Sequence, residues 1–219
     1  MISYSLVTSE KELHQILQLQ QQNLPESVSE AAQKSEGFVT VQHDFALLKA
    51  MHEKCPHIVA KDGEKVVGYA LSMHPDFGND IEVLRPMFEQ IHRYYSSIES
   101  ASKLLHHNNF IVMGQICIAK AYRQQGIFRK LYETMQANLP DSFSTIITEV
   151  DTKNQRSLNA HYSVGFKVLK RYVSGGQEWV LIYLAYTVIP SANEKSHGTW
   201  FVRFLSHSSF EMTMEAYKT

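Results

Sequence analysis

Gln115-Ile116-Cys117-Ile118-Ala119-Lys120-Ala121-Tyr122-Arg123-Gln124-Gln125-Gly126-Ile127-Phe128-Arg129-Lys130-Leu131-Tyr132 is the stretch that decides the fold. Upstream of it, Phe110 to Ile118 is almost unbroken in apolar and β-favouring residues, which predicts a strand buried on both faces. Downstream, Ile127, Leu131, Met135 and Leu139 fall four apart, so one face of a helix is apolar until Leu139-Pro140 stops it. Between them Arg123-Gln124-Gln125-Gly126 is polar and ends in the one residue without a Cβ. A strand feeding a helix through such a turn aims several backbone N–H groups at one spot. The helix dipole adds partial positive charge there, so an anion, typically a phosphate, is the natural guest.

Two familiar phosphate loops are excluded. A Walker loop needs a Gly-Lys-Ser/Thr ending and a dinucleotide fingerprint needs three glycines in register, and neither is present. The stretch resembles the coenzyme A motif of the GNAT superfamily of N-acetyltransferases, which runs from a hydrophobic strand to Arg/Gln-x-x-Gly-x-Gly/Ala and into a Leu-containing helix. Arg123, Gly126 and Leu131 stand at matching positions, and Phe128 stands where the family prefers a small residue. A second segment carries the resemblance further. Asn154, Ser157, Gly165 and Phe166 match the family's Asn-x-x-Ser/Ala…Tyr-x-x-x-Gly-Phe in order and distance, with His161 in the tyrosine's place and Tyr162 one residue later.

Composition bounds the partners. The chain has 219 residues, enough for one sizeable domain with an appendage, and a net charge of −1 that invites neither nucleic acid nor anionic lipid. No apolar run reaches the length of a membrane span, and Met1-Ile2-Ser3 opens no signal peptide. Two cysteines, Cys55 and Cys117, make a disulfide framework improbable and fit a reducing cytoplasm. His52, Cys55 and His57 lie close together but lack a second cluster, so no metal is expected.

The remaining chain fits around the central motif. Tyr4–Val7 reads as a strand, and Ser9 with Glu12 as the capping box of a helix carrying Leu13, Ile16 and Leu17. A short extended piece is expected at Phe38–Val41 and a second helix over Phe45–Met51. A hairpin joins His57–Ala60 to Lys65–Met73 through Asp62-Gly63. Asp76–His107 reads as an insertion, interrupted by Pro86, with helical pieces at Met87–Tyr95 and Ile98–Leu105. Ser144–Val150 alternates as a strand, Asn154 to Gly165 brackets a short helix, and a final hairpin turns at Ser174-Gly175-Gly176. These elements predict a mixed α/β fold, a central sheet flanked by helices. Residues 1–189 form one domain containing the insertion 76–107, and 190–219 is a C-terminal extension whose Trp200–Leu205 is an extra strand or a docking segment.

The resemblance implies direct transfer of the acetyl group of acetyl-CoA to a primary amine, free or on a peptide, by a monomer or a homodimer. It assigns Ile116, Cys117 and Ile118 to the pantetheine arm by strand addition, and Gln124, Gln125, Gly126, Ile127, Phe128 and Arg129 with Arg123 to the pyrophosphate. Asn154 becomes both helix cap and pantetheine contact, and Cys117 a small core residue instead of a nucleophile. Glu149 is the best-placed carboxylate for the base, with Asp151 two residues on along the same face. For the departing thiolate, either His161 is the acid or the thiolate leaves without a dedicated one. Phe88, Tyr94 and Tyr95 of the insertion are expected to wall the acceptor site. Two rivals stand: a catalytically idle acyl-CoA-binding regulatory domain, and a phosphate-binding module for another nucleotide.

Overall fold

A computed structural model of the chain describes residues 1–29, 37–79, 81–97, 109–189 and 201–203. β1 (Ile2–Leu6) leads to α1 (Glu10–Gln21), whose cap Ser9 accepts from the Glu12 N–H. The capping box closes one residue early: Glu12 takes the Thr8 N–H at 2.7 Å, and its other carboxylate oxygen takes Lys61 at 2.7 Å. α2 (Phe45–Lys54) is capped by Asp44. In the hairpin of β2 (Ile58–Asp62) and β3 (Lys65–Met73), Asp62 pairs with Lys65. The loop is therefore Gly63-Glu64, one residue beyond the expected position, with Gly63 at φ 57°.

Two short 3-10 segments, Pro75–Asn79 and Glu82–Leu84, then carry the chain into α3 (Arg85–Ser97). Pro86 starts this helix and does not interrupt it, because a first-turn residue has no intrahelical N–H bond to lose. The expected piece Ile98–Leu105 lies outside the described residues. β4 (Phe110–Ile118), α4 (Ile127–Asn138), β5 (Thr145–Asp151) and α5 (Gln155–Ser163) follow as the spacing predicts. β6 (Lys167–Ser174) and β7 (Gln177–Ala185) turn through Gly175 and Gly176 at φ 60° and 75°, a conformation open to glycine at little cost. Within the extension, Phe201–Arg203 is a strand, β9, pairing antiparallel with β8 (Thr187–Ile189).

The main sheet has seven strands in the order β1-β2-β3-β4-β5-β7-β6, and its one parallel pair is β4 with β5. α4 and α5 cover one face through Ile127, Leu131, Met135 and Leu158, all 2 % exposed or less. Each such side chain stabilises the fold by about 1.5–3 kcal/mol relative to exposure. α1 covers the other face beside β3, and α3 continues that layer with Met87 and Ile91 over Phe110, Val112 and Ile147.

The parallel pair is short. Only Phe110, Ile111 and Val112 pair with Thr145, Ile146 and Ile147; beyond them the strands diverge, β4 staying with β3 and β5 with β7. The divergence coincides with a register shift in β4, where Leu71 pairs with Gln115 and Ser72 with Met113, leaving Gly114 as the extra residue. The bulge also exchanges faces. Before it Val112 belongs with α3 and Ile111 with α4; after it Cys117 belongs with α1, and Ile116 and Ile118 pack on the α4 side. The expectation of burial on both faces therefore fails beyond Met113: Gly114, Ile116 and Ile118 are only partly buried, because β5 has left that edge of β4 while β3 still pairs on the other.

Candidate active site

The fork between β4 and β5 opens on a groove of about 280 Å³, lined on β4 by Ile116, Cys117 and Ile118 and on the helical side by Ile127, Phe128 and Asn154. Gln124 at φ 63° and Gly126 at φ 77° turn the chain sharply into α4. Among the described residues the backbone N–H groups of Gln124, Gln125, Gly126, Ile127, Phe128 and Arg129 have no partner. The first carbonyl to close the helix is that of Gly126, which accepts from the Lys130 N–H at 3.2 Å. A Cβ built on Gly126 meets no atom within 4 Å, so the space above these amides is open. Unpartnered amides at a helix N-terminus over open space make an anion cradle, and they fit a pyrophosphate.

Arg123 serves that cradle indirectly. Its Nε–H donates to the Ile118 carbonyl at 3.0 Å and its guanidinium donates to Asn23 Oδ1 at 2.7 Å, which ties the loop to the end of β4 and the turn after α1. Asn154 caps α5 by accepting from Ser157 N–H at 3.1 Å, while its Nδ2 donates to the Phe38 carbonyl at 3.1 Å. The segment Phe38–Val41, the piece expected beside the loop, is a strap that joins no sheet. Its polar groups are taken up by separate partners: Val39 N–H donates to Asn23 O at 3.0 Å, and Val41 O accepts from Gln115 Nε2 at 2.7 Å. Gln115 is in turn held by Gln20 and Tyr69, which donate to its Oε1 at 2.7 and 2.5 Å. Cys117 is buried and its thiol is pushed up to about 12, chiefly by desolvation, so it carries no thiolate at neutral pH.

His161 is 1 % exposed, and both ring nitrogens are engaged. Nδ1 lies 2.7 Å from the Ser157 carbonyl and so bears the hydrogen; Nε2, 2.9 Å from the Tyr132 hydroxyl, then accepts. Desolvation pulls its pKa down to about 4. Phe128, Tyr132 and Phe166 surround it edge-on at 5.0, 5.8 and 5.1 Å between ring centres. A neutral ring with its one N–H spent on a carbonyl has no proton ready for a thiolate. Of the two alternatives raised from the sequence, this geometry favours departure without a dedicated acid.

Glu149 lies on the opposite arm of the fork. A space of about 70 Å³ between β4 and β5 shares Ile116 and Ser157 with the groove, and shares Glu149 and Thr148 with a second cavity of about 230 Å³. Glu149 lines both of these spaces. Desolvation raises its pKa to about 7, against the Tyr172 hydroxyl, which donates to Oε2 and favours the charged form. Asp151 is committed elsewhere: its carboxylate accepts from Lys153 N–H at 2.8 Å and Gln177 Nε2 at 3.2 Å, holding the turn after β5. The second cavity is closed by Leu84, Pro86 and Met87 at the start of α3. Of the aromatics expected there, Phe88 packs over Gly78, where a Cβ would lie 2.7 Å from its ring. Tyr94 packs on the core beneath α3 and does not line the cavity, and nothing is described of the Tyr95 side chain.

Sequence reasoning missed Tyr172, Trp179 and Gln177, which the last hairpin brings to the cavity. Nothing local marks them. Their arrival depends on the register in which β5 pairs with β7 and β7 with β6, where Trp179 stands opposite both Asp151 and Tyr172. Among the described residues no group of three or more His, Cys, Asp or Glu gathers to hold a metal, and no helix is long and apolar enough to cross a membrane.

Comparison with known proteins agrees with this fold. The pattern described as Acetyltransferase (GNAT) family matches residues 13–166. No curated protein matches the sequence. Among solved structures, a chain of the NatC complex bound to Gag peptide and CoA is 15 % identical with a TM-score of 0.56, over 85 % of this chain and 99 % of that one. The putative acetyltransferase yncA from Salmonella typhimurium with acetyl-CoA is 14 % identical, TM-score 0.55, over 88 % and 99 %. Naa50 of Arabidopsis thaliana, in complex with the bisubstrate analogue CoA-Ac-MVNAL, is 14 % identical, TM-score 0.53, over 84 % and 98 %. At these identities the structures show a shared fold, and the family match covers most of the chain. The chain belongs to the acetyltransferase (GNAT) family, the acetyl-CoA-dependent N-acetyltransferases.

Proposed function

We propose that the chain transfers the acetyl group to a primary amine, free or at the head of a peptide, that enters the cavity beneath α3 and gives its proton to Glu149. The observation that carries this reading is the place of Glu149: it lines both the space adjoining the groove and the cavity itself. A pKa of about 7 keeps a fraction ionised at neutral pH while leaving the group basic enough to accept a proton. Tyr172 holds the carboxylate in place through its hydroxyl.

On this reading acetyl-CoA supplies an activated acyl group as a thioester. The amides from Gln124 to Arg129 hold its pyrophosphate, and the unpaired edge of β4 at Ile116, Cys117 and Ile118 takes its amide-bearing arm, with Asn154 opposite. Arg123 positions the loop. His161 packs beside the arm and fixes the Tyr132 hydroxyl. A thiolate is a tolerable leaving group near neutral pH, so no protonated side chain is required beside it. We take residues 1–189 as the transferring domain with 76–107 as an insertion and 190–219 as an extension, and the buried free thiols Cys55 and Cys117 support a reducing cytoplasm.

The test addresses the cradle. Gly126→Asp puts a carboxylate into the open space over the amides, and aspartate tolerates the left-handed backbone better than most residues. Calorimetry should show CoA affinity falling by roughly 10-fold or more, the scale of one lost charge-assisted contact. Unchanged affinity would remove the cradle from the binding site.

A further inference from the structure

We infer that the acceptor is an apolar monoamine: a primary amine whose adjoining atoms are hydrocarbon and which brings no second positive charge into the cavity. This deepens the reading above and rests on it. Around Glu149 the cavity wall is built of Leu84, Pro86, Met87, Val112, Met113 and Trp179. Met87 and Val112 are 1–2 % exposed and fixed in the packed layer between α3 and the sheet, while Met113, 2 % exposed, is fixed in the core on the α4 side. Glu149 is the one carboxylate in the cavity's described lining, and its Oε2 already accepts from Tyr172; Asp151 lines the adjoining space, with its carboxylate taken by Lys153 N–H and Gln177 Nε2. The remaining polar lining (Thr40, Thr148, Ser174 and Gln177) is uncharged.

The charge arithmetic follows. One ammonium entering the cavity meets one carboxylate and becomes a neutral amine when its proton passes across. A diamine or polyamine brings a second ammonium that must shed water against Leu84, Pro86 and Met87 with no counter-charge, which is costly. A hydrocarbon body instead gains by burial at the same surface. Two sources share this chemistry, a free arylalkyl or alkyl amine and the α-amine of a peptide that begins with an apolar side chain.

The experiment is a kinetic panel with the full chain and acetyl-CoA, following CoA release. Its acceptors are 2-phenylethylamine, 3-methylbutylamine, spermidine, lysine, and tetrapeptides headed by methionine or by lysine. The apolar amines, or the methionine-headed peptide over the lysine-headed one, should exceed spermidine and lysine in kcat/KM by roughly 10-fold or more, the span that a few methylenes of pocket contact command. Whichever apolar source is faster identifies the origin of the amine. Spermidine or lysine matching the apolar acceptors overturns the inference and leaves acetyl transfer standing. No CoA release with any acceptor, while calorimetry still shows acetyl-CoA bound, overturns the transfer reading and the inference with it.

Leu84→Glu supplies the missing counter-charge from a partly buried position and should move the spermidine-to-phenylethylamine ratio upward by about 10-fold. Thr40→Asp does the same from the exposed strap across the cavity and covers the case in which the first variant does not fold. An unmoved ratio in a variant that keeps its thermal midpoint and CoA affinity overturns the placement of the amine's body.

Discussion

The groove and the cavity meet at one fork but are built from different materials. The groove's anion cradle is backbone: amides from Gln124 to Arg129, shaped by left-handed turns at Gln124 and Gly126. The cavity is side chains from separate elements, with Glu149 from β5, Tyr172 from β6, Trp179 from β7, Gly114 and Met113 from β4, and Met87 from α3. A phosphate is met by N–H groups whatever side chains they carry, so such a site demands only a turn and a glycine. An amine acceptor is met by shape and by a titrating carboxylate, so its site is free to change residue by residue. On the function proposed above, the groove fixes the donor and the cavity decides the acceptor.

The sharpest way to break that division is Glu149→Gln. In the unaltered chain kcat/KM should rise with pH as Glu149 loses its proton near its raised pKa of about 7, then level. The amide cannot take a proton, so this limb should vanish and the rate near neutral pH should fall by about 10²–10³, the usual worth of a positioned base. The gap should narrow at alkaline pH, where the ammonium loses its proton unaided. A loss equal at every pH would make Glu149 a binding residue and return the base to solvent. CoA affinity should not change, because the carboxylate lies outside the groove.

The same contrast explains how much was legible. Phe110–Ile118 and Ile127–Asn138 follow from a run of β-formers and from a four-residue apolar spacing, both local signals. The Gly126 loop was readable because its chemistry lies within one stretch of chain. Glu149 could be named because it ends the strand beside the central one, but the hydroxyl that steadies it could not. Tyr172 reaches it from the far side of β7, through registers set by long-range pairing. The bulge at Gly114 was equally hidden. A lone glycine in an apolar run marks a bulge only once the partner strand is known, and this one exchanges the faces of β4. His161 read as a titrating group in sequence because its two partners, Ser157 O and Tyr132 Oη, are contacts that only folding creates.

Tyr172→Phe sharpens the comparison with a smaller effect. The hydroxyl donates to the Glu149 carboxylate and so holds its pKa below what burial alone would set. Removing the donor raises that pKa further. The acid limb of kcat/KM should therefore move to higher pH by roughly one unit, in line with a hydrogen bond to a charged group. Near pH 7 the rate should drop several-fold and recover at pH 9. A drop that persists at pH 9 would mean that Tyr172 touches the amine, and the cavity would then have two polar contacts to the acceptor where one is assigned.

The smallest kinetic effect belongs to Tyr94→Ala. From the sequence, Tyr94 was expected to stand in the acceptor wall, yet the wall comes from Leu84, Pro86 and Met87, ahead of it on the same segment. Tyr94 packs against the cluster that joins α3 to Phe110, Val112 and Ile147. That cluster also holds Met87 and Ile91, and Tyr94 is absent from the cavity lining. Truncation to alanine should cost about 1–3 kcal/mol of stability, below the roughly 3–5 kcal/mol of a fully buried aromatic because the ring is only partly buried. The preference between phenylethylamine and spermidine should stay within twofold, since neither the carboxylate nor the hydrocarbon wall changes. A denaturation midpoint that falls with kinetics intact would establish α3 as a scaffold whose first turn alone selects the acceptor. A shifted preference with unchanged stability would instead put Tyr94 in contact with the amine and extend the selecting surface along the whole helix.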